Sequence, residues 1–219
     1  DAWTDKYFGR VKRPASSIPR VTIKEPARTK ETRYEKTAPN VPFPAVAITY
    51  LAPPSNDPDI AALRVADKIL SGGESSRLYQ SLVYKQQIAQ EASFNLDNKV
   101  DGGLLYFFAI ASEGKTAAEL ERSLLAELKL IQTKGITPSE LAKAKNQLIA
   151  DAVESLEDND GKAIAVERSI AYEGNPNKVN TSVARLQAVT AADVLRVMKK
   201  YFTDTNRVVI HYSNDGGAK

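Results

Sequence analysis

The chain has 219 residues, of which 42% are hydrophobic and 26% charged, and a net charge of +3. That length can bury a real core as one sizeable domain or two small ones, and the charge is too mild to point to nucleic acid. Cysteine is absent and His211 is the single histidine, which excludes disulfides, thiol catalysis and a zinc site built on two or three histidines, and leaves few routes to a Ser-His-Asp triad.

Trp3 and the string Lys6-Tyr7-Phe8-Gly9 read like the close of a structured element, so the chain is expected to begin mid-protein. The lack of a signal peptide therefore says little about location, and no run approaches the ~18 apolar residues of a membrane span. Residues 1–44 are taken as the end of a preceding domain and a linker rich in proline and cations, among them Pro14, Pro19, Pro26, Pro39, Arg13, Arg20, Lys24 and Arg28. Proline favours extended chain and blocks helix. A solvated tether is favoured over a grip on phosphate or anionic lipid, because aromatic residues are sparse and no face collects the charge. Within it, Thr32 to Ala38 alternates well enough for an edge strand.

A main domain is expected over 45–214. Ala45 to Leu51 is a β-branched apolar strand stopped by Pro53-Pro54, and Asp57-Pro58 starts a helix that Gly72-Gly73 ends. A short helix from Ser75 carries Leu78, Leu82 and Val83 and runs straight into a strand over Ile88 to Leu96, with no Gly or Pro at the join. Leu104 to Ala111 pairs with that strand as an antiparallel hairpin. Capping boxes at Thr116/Glu119, Thr137/Glu140 and Thr190/Asp193 open three helices, with shorter ones from about Lys162 and Pro176, and Arg207 to Ser213 is a last strand. The sum is an α+β fold, a mostly antiparallel sheet with helices packed on one face.

Direct chemical signals are thin. Glu157-Asp158-Asn159-Asp160-Gly161, set on a calcium loop, puts Leu156 where the entry Asp must stand, so a polar turn is the better reading. Gly72-Gly73-Glu74-Ser75-Ser76 lacks the lysine and spacing of a phosphate loop. His211 faces away from Val208 and Ile210 and is expected to be an exposed or half-exposed strand residue rather than a base. Glu35, Glu91 and the helix carboxylates form no recognisable acid/base pair. The residues alone define no active site.

Four strings in order do carry a resemblance. ILSGGESSRLYQSLVYKQQIAQEASF is similar to the glycine-loop, helix and strand segment in the second half of insulinase/pitrilysin-type zinc peptidases, the family that includes the mitochondrial processing peptidase and its bacterial relatives. ITPSELAKAKNQLIADAVESLED resembles that family's long helix, VTAADVLRVMKKYFTDTNRVVI its final helix and strand, and DKYFGRVKRP the close of its first domain. The resemblance implies a processing-peptidase-like half-domain. In that family paired α+β domains close over an unfolded peptide. The first carries the H-x-x-E-H zinc motif, and the second, without metal, supplies part of the chamber wall.

This chain has no H-x-x-E-H, so the resemblance places it as the second, non-catalytic domain, with no cofactor of its own and zinc in the catalytic domain of its parent. Implied partners are a catalytic zinc-bearing domain or subunit and an extended peptide, with a homo- or heterodimer open, and with a periplasmic or secreted bacterial setting favoured over a cytoplasmic one. Active relatives place an Arg and, seven residues later, a Tyr at the helix-to-strand junction to hold the substrate backbone and the oxyanion. Their string, roughly L-R-E-x-x-G-L-A-Y, aligns with Leu82 to Gln90, so Val83 stands for the Arg and Gln90 for the Tyr. Arg77 and Tyr84 are further possible chamber contacts, although partial burial and surface hydrogen bonding is the simpler expectation for both. Two rivals stay open: a structural subunit derived from the peptidase fold, and a stand-alone module that offers a sheet edge to peptides.

Overall fold

A computed structural model of the chain describes residues 1–12, 14–17, 19, 22–37 and 41–213. Arg13, Arg20, Ala38 and Pro39 of the linker and the expected domain end at residue 214 lie outside them.

Five strands form one sheet: β1 (Thr32–Thr37), β2 (Ala45–Ala52), β3 (Ala89–Asp97), β4 (Gly103–Ala111) and β5 (Val208–Ser213). Their order is β1-β5-β2-β4-β3. All pairings are antiparallel except β1 with β5, which run parallel with Tyr34 opposite Ile210. The segment 32–37 is thus an edge strand, as its alternation predicts, but it is a strand of this sheet rather than free linker. Arg28 fastens the chain just before it, donating to the Thr49 and Asn206 carbonyl oxygens at 3.0 and 3.1 Å.

Helices α2 (Ile60–Ser71), α3 (Ala117–Lys134), α4 (Pro138–Glu154), α6 (Ser182–Ala188) and α7 (Ala191–Tyr201) each bury an apolar stripe, while α1 (Ala2–Phe8) buries nothing. The capping boxes at Thr116, Thr137 and Thr190 are all formed, with each threonine hydroxyl taking the N–H of the third helical residue. Each such cap stabilises its helix by about 1 kcal/mol. Helix α5 (Asn159–Glu173) starts earlier and runs longer than expected, because the Asp158 side chain accepts the Gly161 N–H and caps it. The acidic stretch is therefore a helix start. Among the described residues no group of three or more His, Asp or Glu side chains could hold a metal ion.

The core lies between the sheet and the helices. Val46, Ile48 and Tyr50 from β2, Phe94 from β3, Leu105 and Phe107 from β4, and Val209 from β5 are buried on that side. Tyr50, Phe94 and Phe107 surround Phe202 with ring centroids 4.9, 5.6 and 6.0 Å away, the tilted and edge-on contacts that aromatic quadrupoles favour.

One buried charge ties the first helix of this layer to the last. Asp59, whose side chain is 6% exposed, meets Arg196 at 2.7 Å and Lys200 at 2.8 Å, and accepts from the Tyr201 hydroxyl at 2.8 Å. Burial alone would raise its pKa, but the hydrogen bonds from Lys200, Arg196 and Tyr201 hold it at about 2. Its partners are half-exposed, so Asp59→Ala is expected to cost about 2 kcal/mol, the scale of hydrogen bonds to a charged group. A carboxyl with a depressed pKa stabilises the fold above its unfolded value and stops doing so as pH falls through its folded value. Urea melts of wild type and variant should therefore differ at pH 6 and converge between pH 4 and 2. A constant gap over that range would show that the charge is not what matters.

Candidate functional site

The junction between the short helix and β3 is built without Gly or Pro by two departures from regular backbone. After Gly73, which takes the left-handed turn at φ 86°, the chain winds into a π-helix over Tyr79–Lys85. Its end is wide: the Gln86 N–H donates to the Ser81 carbonyl and the Ile88 N–H to the Leu82 carbonyl, both at 3.0 Å. Gln87 then sits at φ 53°, the one non-glycine residue with positive φ among the described residues. A π turn adds a residue to the helical turn and recurs at functional sites. Here, with the left-handed Gln87, it swings the chain from helix to strand. Gln87 falls where the family string has its glycine.

Around this join the expected residues separate. Val83 lies on the last turn of the π-helix, half-buried, and packs against the core. Gln90 is exposed at the second residue of β3, in a bulge where the pairing register slips between Ala89 and Glu91. Bulges re-aim side chains, and Gln90 turns its amide to donate to the Ala111 carbonyl at 2.8 Å. Val83 has no donor and the Gln90 amide, which could supply one hydrogen bond, is taken up by the Ala111 carbonyl, so the pair does not present the two donors of an Arg and a Tyr.

Arg77 is partly buried and hydrogen-bonded, the simpler of its two expectations. Its Nε and Nη2 meet the two Glu140 carboxylate oxygens at 2.5 and 2.9 Å, and Nη2 also reaches the Gly135 carbonyl. The Arg77 hydrogen bonds, with those of the Thr137 cap, hold the Glu140 carboxyl at about 2, and the junction helix is thereby pinned to the α3–α4 turn. Tyr84 is 67% exposed and stays free to touch a partner.

His211 also differs from expectation. The helix-facing side of β5 is the Val209 side, so the ring points inward. It lies between Glu121 at 2.7 Å and Glu35 at 3.1 Å, with only 14% of its side chain exposed. Arg33 meets the same Glu121 at 2.5 Å. Burial works to raise the Glu121 pKa, yet the hydrogen bonds from Arg33 and His211 hold it below its ordinary value. This cluster joins β1, β5 and α3. It brings together two carboxylates and a histidine that are far apart in sequence, with His211 and Glu121 shielded and Glu35 largely exposed.

The feature that sequence reasoning missed is the opposite face of the sheet. Alternation puts Tyr34, Ala47, Tyr106, Phe108, Ile210 and Tyr212 there, and the register sets Ala47 directly between Phe108 and Ile210. All six are exposed or half-buried. Among the described residues no helix packs on this face. The signal was present in β4, Leu104-Leu105-Tyr106-Phe107-Phe108-Ala109-Ile110-Ala111, which is apolar at nearly every position. A strand with one solvated face alternates, and one covered on both faces does not.

Comparison with known proteins gives a consistent picture. A family model described as the peptidase M16 inactive domain matches residues 1–148. Cytochrome b-c1 complex subunit 1 of Caenorhabditis elegans mitochondria is 26% identical over 218 residues, 94% of this chain and 45% of that protein. An uncharacterised zinc protease of Mycobacterium tuberculosis is 29% identical over 138 residues, 63% of this chain and 31% of that protein. The chain thus spans less than half the length of these curated relatives. Among solved structures, a protease from Helicobacter pylori superposes with a TM-score of 0.91 at 25% identity, over 97% of this chain and 51% of that one. A peptidase M16 inactive domain from Pseudomonas fluorescens superposes with a TM-score of 0.74 at 19% identity, over 93% of this chain and 48% of that one, a likeness of fold.

A left-handed backbone costs a residue with a Cβ about 1–3 kcal/mol, and glycine adopts it freely but loses more entropy on folding. Gln87→Gly is therefore expected to stabilise the chain by roughly 1 kcal/mol, read as a higher urea midpoint with an unchanged slope. A loss of stability would mean that Gln87 makes contacts that outweigh its strained backbone.

Proposed function

The chain belongs to the peptidase M16 inactive-domain family, and from that premise we propose that it is the non-catalytic half of a zinc metallopeptidase, walling a chamber that holds an extended peptide. The observation that carries this reading is the open sheet face. Tyr34, Tyr106, Phe108, Ile210 and Tyr212 form a half-exposed apolar surface on the side that the helices leave bare. Contiguous exposed apolar surface marks interaction sites, and an unfolded peptide offers the apolar side chains and backbone donors that such a wall accommodates.

This reading places no zinc in this chain. Its single histidine is paired to Glu121 and Glu35, and no other donor set among the described residues suits the metal. The metal and the H-x-x-E-H motif are assigned to a catalytic partner domain or subunit. This half contributes enclosure: it keeps water from the peptide and completes the chamber on closing.

A second reading has its own support. With Val83 and Gln90 at the junction, the chain lacks the oxyanion donors of active relatives, and a relative covering 94% of it is a subunit of the cytochrome b-c1 complex. In that case the same apolar face would serve assembly rather than peptide binding.

The substitution Phe108→Asp, made in the full-length protein or complex containing this chain, separates the two. The peptidase reading expects at least tenfold weaker peptide binding, about 1.4 kcal/mol, with the subunits still associated. Peptide affinity unchanged while assembly fails would favour the structural subunit.

A further inference from the structure

On the helical side of the molecule, away from the open sheet face, a cavity of about 650 Å³ lies between α2, the end of β3, the C-terminal part of α5, and α6. Its size is that of a small-molecule site, commonly about 300–1,000 Å³. Ile60, Leu96 and Leu186 supply apolar wall, and the charged groups in it are unevenly matched. Arg185 is taken up by Glu173, with two hydrogen bonds of 2.6 and 3.0 Å. Asp57 is occupied with the Asp59 N–H. Burial pushes the Asp67 carboxyl up to about 6, which fits its lack of a hydrogen bond to any cation.

Two guanidiniums and the Lys178 ammonium remain. Arg64 and Arg168 both line the cavity, and among the described residues neither makes a salt bridge or side-chain hydrogen bond. Each projects from a well-formed helix, Arg64 from α2 and Arg168 from α5, so the two cations are brought to one space by the packing of separate elements. A guanidinium presents a planar fork of N–H donors that suits two oxygens of one anion.

We propose that this cavity is a binding site for a small oxyanion, a carboxylate or a phosphate, held by the guanidiniums of Arg64 and Arg168. The site is independent of the peptide chamber, since it opens on the other side of the sheet, and it gives this half of the protein a ligand of its own. Carboxylate and phosphate share the geometry that the arginines recognise, so both are tested as probes.

The experiment titrates the full chain with inorganic phosphate and, separately, with citrate, against sodium chloride of equal ionic strength, following heat of binding and thermal midpoint. A saturable signal with phosphate, citrate or both, beyond the chloride control, is expected, and which probe binds identifies the source of the oxyanion. The double variant Arg64→Gln/Arg168→Gln should bind at least tenfold more weakly. The variant Arg64→Lys/Arg168→Lys keeps both charges without the fork and should bind several-fold more weakly, which serves as the test if the first variant fails to fold. No saturable response above chloride, or equal binding by wild type and both variants, would overturn the assignment.

Discussion

Phe202 is packed by Tyr50, Phe94 and Phe107, and that contact decides which face of the sheet the helices cover. Strand residues alternate strictly between faces, so a slip of one residue in β2 or β4 would send Ile48, Tyr50 and Phe107 to the bare side and Ala47 and Phe108 to the helices. The aromatic cluster prevents that slip because its rings fit only where Phe202, at the end of α7, meets three strands at once. The other features follow from it. Asp59 pairs with α7 across the helical layer, β1 closes the sheet through Arg33 and Glu121, and an apolar surface is left with nothing over it.

That bare surface couples the packing to the function. A sheet with helices on one face and water on the other needs polar residues outside. This one has tyrosines, Phe108 and Ile210 there. The chain thus keeps an apolar, half-exposed side that lies outside its own core, and contiguous apolar surface of this kind marks interaction sites. The junction tells the same story from the other direction. Its scaffold of π turn, left-handed residue and bulge is complete, while Val83 rests on the core and Gln90 bonds back to β4. Shape is present at this join without charge.

Local chemistry made much of the fold legible. A threonine followed three residues later by Glu or Asp marks a helix start where apolar residues then recur at helical spacing, as at Thr116, Thr137 and Thr190, where the boxes formed, whereas Thr32 with Glu35 lies in β1 and Thr22 with Glu25 lies outside any helix or strand. Patterns whose cause lies far along the chain were not legible. Val208-Val209-Ile210-His211-Tyr212 is apolar on both sides, so the strand alone does not say which face is inward or what His211 meets. Its true partners are Glu121, distant in sequence, and Glu35 on a strand that pairs with β5 only in the folded state. The π-helix was hidden because its apolar stripe of Leu78, Leu82 and Val83 also suits an α-helix. That Arg77 would be hydrogen-bonded was expected, but its partner Glu140, on another helix, was not legible. The open face was visible in the unbroken apolar run of β4, but only a layer count shows that one of its two faces lacks a cover.

Under the proposed function, peptide meets the bare sheet face and not the helical side. A photo-crosslinking residue placed at Phe108, on that face, and in a second protein at Ile164, an exposed position on α5 that is 51% accessible, tests it most directly with an extended peptide in the assembled protein. Capture at 108 with little at 164 is the predicted result. Capture at 164 alone, or equal capture at both positions, would contradict the account.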